Sequence, residues 1–171
     1  MIRNLITYAQ ISELARPCST DDETAEAMIA EAQRVEIKPR VGDAVYLLIT
    51  KDRPDARFNT LLNGGEWEDR CGRPRLLTGL RTALAYYALA RIIRDSNIQA
   101  TRYGAVVKDD QYSQDAEKTE RQRQYRELFA QADGYMAEAV QYLAENCETF
   151  PEYQVKGKMR SNRTTIKIIG R

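Results

Sequence analysis

The chain of 171 residues contains no histidine. Histidine is the side chain most often used as a general base near neutral pH and the commonest metal ligand, so its absence excludes Ser-His-Asp and Cys-His catalysis. The three cysteines, Cys18, Cys71 and Cys147, form no CxxC pair and make no zinc site without histidine. Their odd number, with no signal-peptide pattern, leads us to expect a reducing cytoplasm.

Long apolar runs and phosphate-binding loops are missing as well. The longest apolar stretches, such as residues 44–49, are too short to cross a bilayer, so we expect no membrane partner. No GxxxxGK[ST], GxGxxG or HExxH pattern is present. Acidic residues cluster at 21–23, 66–69 and 109–110, and we interpret these clusters as helix-terminal or solvated charge. The sequence therefore predicts a protein that is not an enzyme, with no cofactor and no metal site.

The charge of the chain is unevenly distributed. The net charge is +1, but residues 1–152 contain 20 basic and 25 acidic residues, a net charge of −5. Residues 153–171 contain six basic residues and no acidic one, a net charge of +6. A chain of this length forms one ordinary globular domain. We therefore predict a helical domain over 1–152 and a basic C-terminal arm over 153–171.

Apolar residues recur at helical spacing along most of the domain. Thr7 with Gln10, and Thr20 with Glu23, have capping-box spacing and predict the starts of the first two helices. Pro39 predicts a break or a kink. Further helices are predicted from Asp43, over 79–95 as a central core helix, and over 114–146 with Ser113 as cap and a packing seam in its second half.

Turn signals occupy residues 52–77 and predict a small β-hairpin or an ordered loop around Trp67. A second β-capable segment lies at 105–107. The predicted fold class is mainly α: a helical bundle of about four to five helices with a small β-hairpin or extended loop and a C-terminal extended arm.

Candidate partner-binding residues lie in the arm and at Trp67. Residues 164–169 are a strand candidate because of their β-branched side chains, and such a strand is suited to pairing with the sheet edge of another subunit. A frayed terminus is the alternative. Trp67 packs on the helical body in one interpretation and anchors in a partner's pocket in the other. The arm candidates are the basic and isoleucine side chains of Lys156, Lys158, Arg160, Arg163, Ile166, Ile168 and Ile169.

Several landmarks follow one another in an order that suggests a family. They are IKPRVGDAVY at 37–46, LNGGEW at 62–67, GLRTALAYYALAR at 79–91 and TRYGAVVK at 101–108, and the long helix comes after them. Over residues 5–153 the chain resembles the head–tail connector (adaptor, or head-completion) proteins of tailed bacteriophages, in the form met in phages and prophages of Bacteroidetes. The run at 79–91, with the Thr-x-x-Gly segment after it, is the most specific part of the resemblance.

The resemblance implies a structural virion protein with a helical-bundle core. Such connectors form a homo-oligomeric ring of about a dozen copies under the portal protein, around the genomic DNA that passes through the channel. They extend that channel and dock the next tail or stopper protein, and their C-terminal segments often reach into the portal. The implied location is the head–tail junction of the virion, after assembly in the bacterial host cytoplasm. The family has no catalytic set, so no residue role is carried over.

Two other classes of function compete with the connector. The first is a small helical nucleic-acid-binding module that uses the basic arm, whose six charges would give salt-dependent, sequence-independent binding. Only Tyr153 is available there for base stacking, and the acidic domain would repel phosphate. The second is an enzyme, which would have to use tyrosine, lysine or carboxylates in a site that the sequence does not locate.

Overall fold

The computed structural model describes residues 3–95, 98–101, 104–107 and 118–153, with the backbone alone given for 98–107 and for Lys118. The helices in this part of the chain are α1 (Tyr8–Leu14), α2 (Asp22–Ala32), α3 (Lys38–Val41), α4 (Asp43–Ile49), α5 (Asn59–Asn63), α6 (Leu80–Asp95) and α7 (Lys118–Glu145). A π-helical turn (Gln33–Ile37) joins α2 to α3, and a 3-10 turn (Ala56–Phe58) leads into α5. The strands are β1 (Gly65–Glu68), β2 (Pro74–Leu77), β3 (Ile98–Thr101) and β4 (Gly104–Val107). The prediction of a mainly helical fold with a small β-hairpin is confirmed.

The first two helices begin at polar caps. Gln10 Oε1 accepts a hydrogen bond from the Thr7 amide at 3.0 Å, so the predicted start of α1 is confirmed. The start of α2 predicted at Thr20 is wrong by one residue. Asp21 is the N-cap, and its carboxylate accepts a hydrogen bond from the Thr24 amide at 2.8 Å. A carboxylate caps more effectively than a threonine hydroxyl because it also complements the positive end of the helix dipole.

The helix is not broken at Pro39. Pro39 lies in the first turn of α3, where a missing N–H is tolerated, and the π-helical turn precedes it. The helix ends at Val41 because Gly42 has φ +84°, a left-handed conformation that favours glycine. The helix predicted from Asp43 is confirmed, but Asp43 is not its cap: Gly42 is the N-cap of α4, and Asp43 lies in the first turn, where its charge favours the helix dipole.

The central helix of the body is α6, as predicted. It packs chiefly against α7 and also against α1, α2 and α5. Its buried side chains lie on nearly every side of the helix: Leu80, Ala83, Leu84, Ala85, Tyr87, Ala88, Leu89, Ala90, Arg91 and Ile92. The predicted seam of α7 is confirmed, with Leu128, Ala132, Met136, Ala139 and Leu143 fully buried. The cap predicted at Ser113 lies outside the described residues.

Two separate antiparallel hairpins interrupt the helices. In the first, β1 pairs with β2, and the turn that joins them contains residues 69–73. Gly79 follows β2 with φ +98°, and a Cβ atom placed there would lie 2.5 Å from the Gly64 nitrogen. Because Gly64 and Gly79 have no side chains, the base of the hairpin can approach the end of α5 and the start of α6 closely. In the second hairpin β4, which contains the predicted segment 105–107, pairs with β3.

Candidate functional site

The end of the helical body is tied down just before the arm begins. Arg57 donates to Glu152 Oε1 at 2.7 Å and to Glu152 Oε2 at 3.2 Å, and also to the Thr149 carbonyl oxygen at 2.9 Å. These hydrogen bonds lower the pKa of Glu152 below its ordinary range. A bidentate arginine–carboxylate pair fixes direction as well as position. The chain is therefore held in place up to Tyr153, the first residue of the arm, whose amide donates to the Phe150 carbonyl oxygen at 2.9 Å.

Aromatic packing supports the same segment from beneath. Phe150 is fully buried, with its ring centroid 5.4 Å from that of Phe58 and 5.6 Å from that of Tyr142. Tyr153 is half-buried against the core, and burial raises its pKa. Together with the Arg57 contacts, this packing defines the residues around Glu152 as the root of the arm.

The turn of the first hairpin is organised around a buried carboxylate. Asp69 accepts hydrogen bonds from the amides of Cys71 at 2.9 Å and Arg73 at 3.0 Å, and from the guanidinium Nε atoms of Arg73 and Arg75. Its side chain is only 2% exposed. The Arg73 amide first, then the Cys71 amide and the Arg73 guanidinium, lower the pKa of Asp69 to about 2. The interpretation of Asp69 as solvated charge is therefore wrong, because its ligands are the turn's own N–H groups.

The hairpin turn rests on the C-terminal end of α7. Arg70 donates to the carbonyl oxygens of Ala144 at 3.0 Å and Glu145 at 3.1 Å, and to Cys147 Sγ at 3.3 Å. The last carbonyls of a helix lack internal partners, and a cation there is also favoured by the helix dipole. The turn and the root of the arm therefore lie at the same end of the body.

Trp67 packs on the helical body, as one of its two interpretations predicted. Its ring meets Tyr142 of α7 edge-on, with centroids 5.2 Å apart, and its side chain is half-buried. Within β1 it stands between two exposed glutamates, Glu66 and Glu68. The register pairs Glu66 with Leu76, which is 72% exposed. One face of the hairpin is thus acidic with an exposed leucine, and the other packs inward through Trp67.

A chain of ionic contacts crosses the helical body. Arg91 of α6 is 7% exposed and pairs with Glu31 and with Glu36, the latter at 3.0 Å. Arg40 pairs with Glu36 at 3.0 Å and with Asp133 of α7 at 2.8 Å. These residues join α2, the π-helical turn, α3, α6 and α7, so the network fixes how the helices sit against one another.

The network ends at a buried tyrosine. The Tyr87 hydroxyl donates to Asp133, and the Arg40 guanidinium lies 5.5 Å from the centre of the Tyr87 ring. Burial and the hydrogen bond to Asp133 raise the pKa of Tyr87 above its ordinary value. A tyrosine held protonated and capped by a carboxylate is a structural hydrogen-bond donor here.

A polar cleft of about 420 Å³ lies between the N-terminal segment and the residues that follow α4. Its charged lining residues are of both signs: Arg3, Lys51 and Arg81 against Glu26 and Asp52. Such a balanced lining selects neither an anion nor a cation. Within residues 3–95 and 118–153 no group of three or more potential metal-binding side chains comes together. No helix in the same part of the chain is both long and apolar enough to cross a membrane.

The residues predicted to bind partners divide into two groups. Trp67 lies on β1 as described, and its role as an anchor for a partner stays a prediction. The arm candidates lie outside the described residues: Lys156, Lys158, Arg160, Arg163, Ile166, Ile168 and Ile169. Sequence reasoning missed Arg57 and Arg70, which fix the arm root and the hairpin turn. Their partners lie 92 to 95 and 74 to 77 residues away along the chain, so no local pattern could have pointed to them.

A family model described as a family of unknown function, DUF6712, matches residues 37–163. The match covers about three quarters of the chain, and the chain belongs to this family. It begins in the π-helical turn and includes both hairpins, α6, α7 and the first part of the arm. No curated protein and no solved structure matches the chain.

Proposed function

We propose that this member of the DUF6712 family is a structural subunit of the head–tail junction of a tailed bacteriophage. In this role it assembles as a ring under the portal, extends the channel for the genomic DNA and docks the next tail or stopper protein. The observation that carries the proposal is the junction between body and arm. A helical body of net charge −5 is locked at Glu152 by Arg57, and an arm of net charge +6 follows at once.

A fixed root matters because an arm that binds a neighbouring subunit has to leave the body at a defined place. Ordering loose residues at the root would cost conformational entropy on assembly, at about 1–2 kcal/mol per residue for the backbone. Arg57 and the buried ring of Phe150 meet that cost within the subunit. The arm can then contribute its cations to acidic protein surfaces and its isoleucines to a partner's sheet.

The experiment uses the full chain, a chain truncated after Tyr153, and portal rings from the same genome. We expect the full chain to form a defined multimer on the portal, as read by native mass spectrometry and electron microscopy. The truncated chain should keep its helical circular dichroism and lose docking. A matched variant, in which Ile166, Ile168 and Ile169 are replaced by serine, keeps the +6 charge and should also dock weakly if strand pairing contributes.

The connector proposal fails if the full chain stays monomeric beside portal rings at micromolar concentration. A monomer without portal decides nothing, because connectors of this kind can be monomeric before assembly. Binding of duplex DNA through the arm, with an affinity that falls steeply with salt and without portal binding, would favour the nucleic-acid-binding module instead.

A further inference from the structure

We propose that the open side of β1 receives residues 164–169 of a second copy's arm as an added antiparallel or parallel strand. The inference rests on the proposed function, because it describes a contact between copies in an assembly. The receiving surface is the outer edge of β1, which carries Glu66, Trp67 and Glu68.

The first hairpin has two outer edges, because β1 pairs with β2 alone in the part of the chain that the structure describes. β1 suits a basic arm better, since it carries Glu66 and Glu68. In contrast, β2 carries Arg75 and begins at Pro74, which has no N–H to donate. Among the described residues no third strand joins β1. The outer side of an edge strand carries backbone N–H and C=O groups in extended geometry, which is a template for another strand.

The side chains of β1 alternate in a way that suits the arm. Glu66 and Glu68 are exposed on one face, and Trp67 lies on the other face against Tyr142. In the arm, Lys167 stands between Ile166 and Ile168. A strand that places the two isoleucines on the Trp67 face puts Lys167 on the face of the glutamates. Ile169 then lies beside Lys167 on the glutamate face. A slip by one residue would move Lys167 away from the glutamates to the Trp67 face and set two isoleucines, Ile166 and Ile168, against the glutamates, so one assignment of faces is favoured.

One donor strand and one acceptor edge per chain produce a head-to-tail contact. Such heterologous contacts close into rings when the rotation between subunits allows it. The acidic body and the basic arm also attract each other across the contact. The arm of a second copy therefore fits the β1 edge in charge and in strand pattern, and its binding there would link like subunits.

The test is a disulfide that can form only between two chains. One full-length protein carries Glu66→Cys and another carries Lys167→Cys, and in both the native cysteines are replaced by Cys18→Ala, Cys71→Ser and Cys147→Ser. Residues opposite each other on paired strands have Cα atoms about 4.5–5.5 Å apart, which is within disulfide range. We expect mixed, oxidised samples at about 100 μM to form the mixed dimer about tenfold faster than a control pair with Glu13→Cys, an exposed glutamate on α1.

The proposal is overturned if the Glu66→Cys pair reacts no faster than the Glu13→Cys pair. It is also overturned if one chain carrying both cysteines closes on itself as a monomer in preference to linking copies, because its own arm then occupies β1. Adding both Thr165→Pro and Ile166→Pro to the Lys167→Cys protein should abolish the faster reaction, since one of two successive N–H groups in the added strand has to face β1. Portal docking that persists while no cross-link forms would reject this contact and leave the connector proposal standing.

Discussion

Replacing Arg91 by methionine should destabilise the protein by about 3 kcal/mol, at the lower end of the usual cost of removing one partner of a buried ion pair. The structure sets this magnitude. Methionine keeps the packing of the aliphatic stem and removes the charge. Of the two carboxylates left behind, Glu31 is exposed and regains water, whereas Glu36 is mostly buried and keeps only its contact with Arg40. Most of the lost stability therefore comes from Glu36, whose buried charge is then compensated by Arg40 alone.

The matched control is Arg94→Met on the same helix. The Arg94 side chain is 43% exposed and pairs with its neighbour Asp95, so its loss should cost less than about 1 kcal/mol. Urea unfolding at pH 7, followed by circular dichroism at 222 nm, measures both free energies of unfolding. A cost for Arg91→Met within about 1 kcal/mol of the control would refute the assignment of a buried, structure-fixing charge. Adding Glu36→Gln to Arg91→Met should recover part of the loss, because the mostly buried carboxylate that has lost one of its two arginines is then neutral. Arg40 keeps its pair with Asp133 in this variant.

Two further predictions concern the first hairpin. Gly79→Ala should destabilise the protein by about 3 kcal/mol, because φ is +98° and the new Cβ would lie 2.5 Å from the Gly64 nitrogen. The control is Gly134→Ala, in open space on α7, which should stabilise the protein by up to about 1 kcal/mol in the same urea assay. Equal effects of the two substitutions would contradict this prediction. Asp69 has a folded pKa of about 2, below its unfolded value of about 4, so its stabilising effect is complete above about pH 4 and is lost as the pH falls through about 2. The fluorescence of Trp67 in an acid titration measures this loss of stability. The Asp69→Asn variant should have a lower free energy of unfolding than wild type at neutral pH. A variant as stable as wild type at pH 7 would exclude the role given to Asp69.

Local signals accounted for most of the helical architecture. The start of α1, the central position of α6 and the seam of α7 depend on the spacing of residues within a few turns, which the sequence displays directly. Of the break or kink predicted at Pro39, the break is wrong for a local reason of another kind. Proline is disfavoured inside a helix, but Pro39 follows the π-helical turn and so lies in the first turn of α3, where it is tolerated. No residue pattern predicts a π-helical turn.

The candidate site was much less predictable. The arm could be recognised from its charge imbalance and its run of β-branched residues, because both are properties of the local sequence and do not depend on which residues contact it. The contacts of Arg57 with Glu152 and of Arg40 with Asp133 join residues more than 90 positions apart. The sequence shows many arginines and many carboxylates, and only the packing of the helices decides which of them meet. Asp69 was misjudged because its partners are backbone amides, which every turn has.

The length of the arm limits which copy it can reach. Thr164 lies eleven residue steps after Tyr153, and a fully extended tether of that length spans about 36 Å. A body of 152 residues has a radius of gyration of about 15 Å, which corresponds to a sphere about 38 Å across. Equivalent points on adjacent, touching bodies are therefore about one tether length apart, and those on the next body but one are about twice that distance. Because the hairpin turn and the arm root lie at the same end of the body, an arm that serves β1 of another copy can serve only its immediate neighbour.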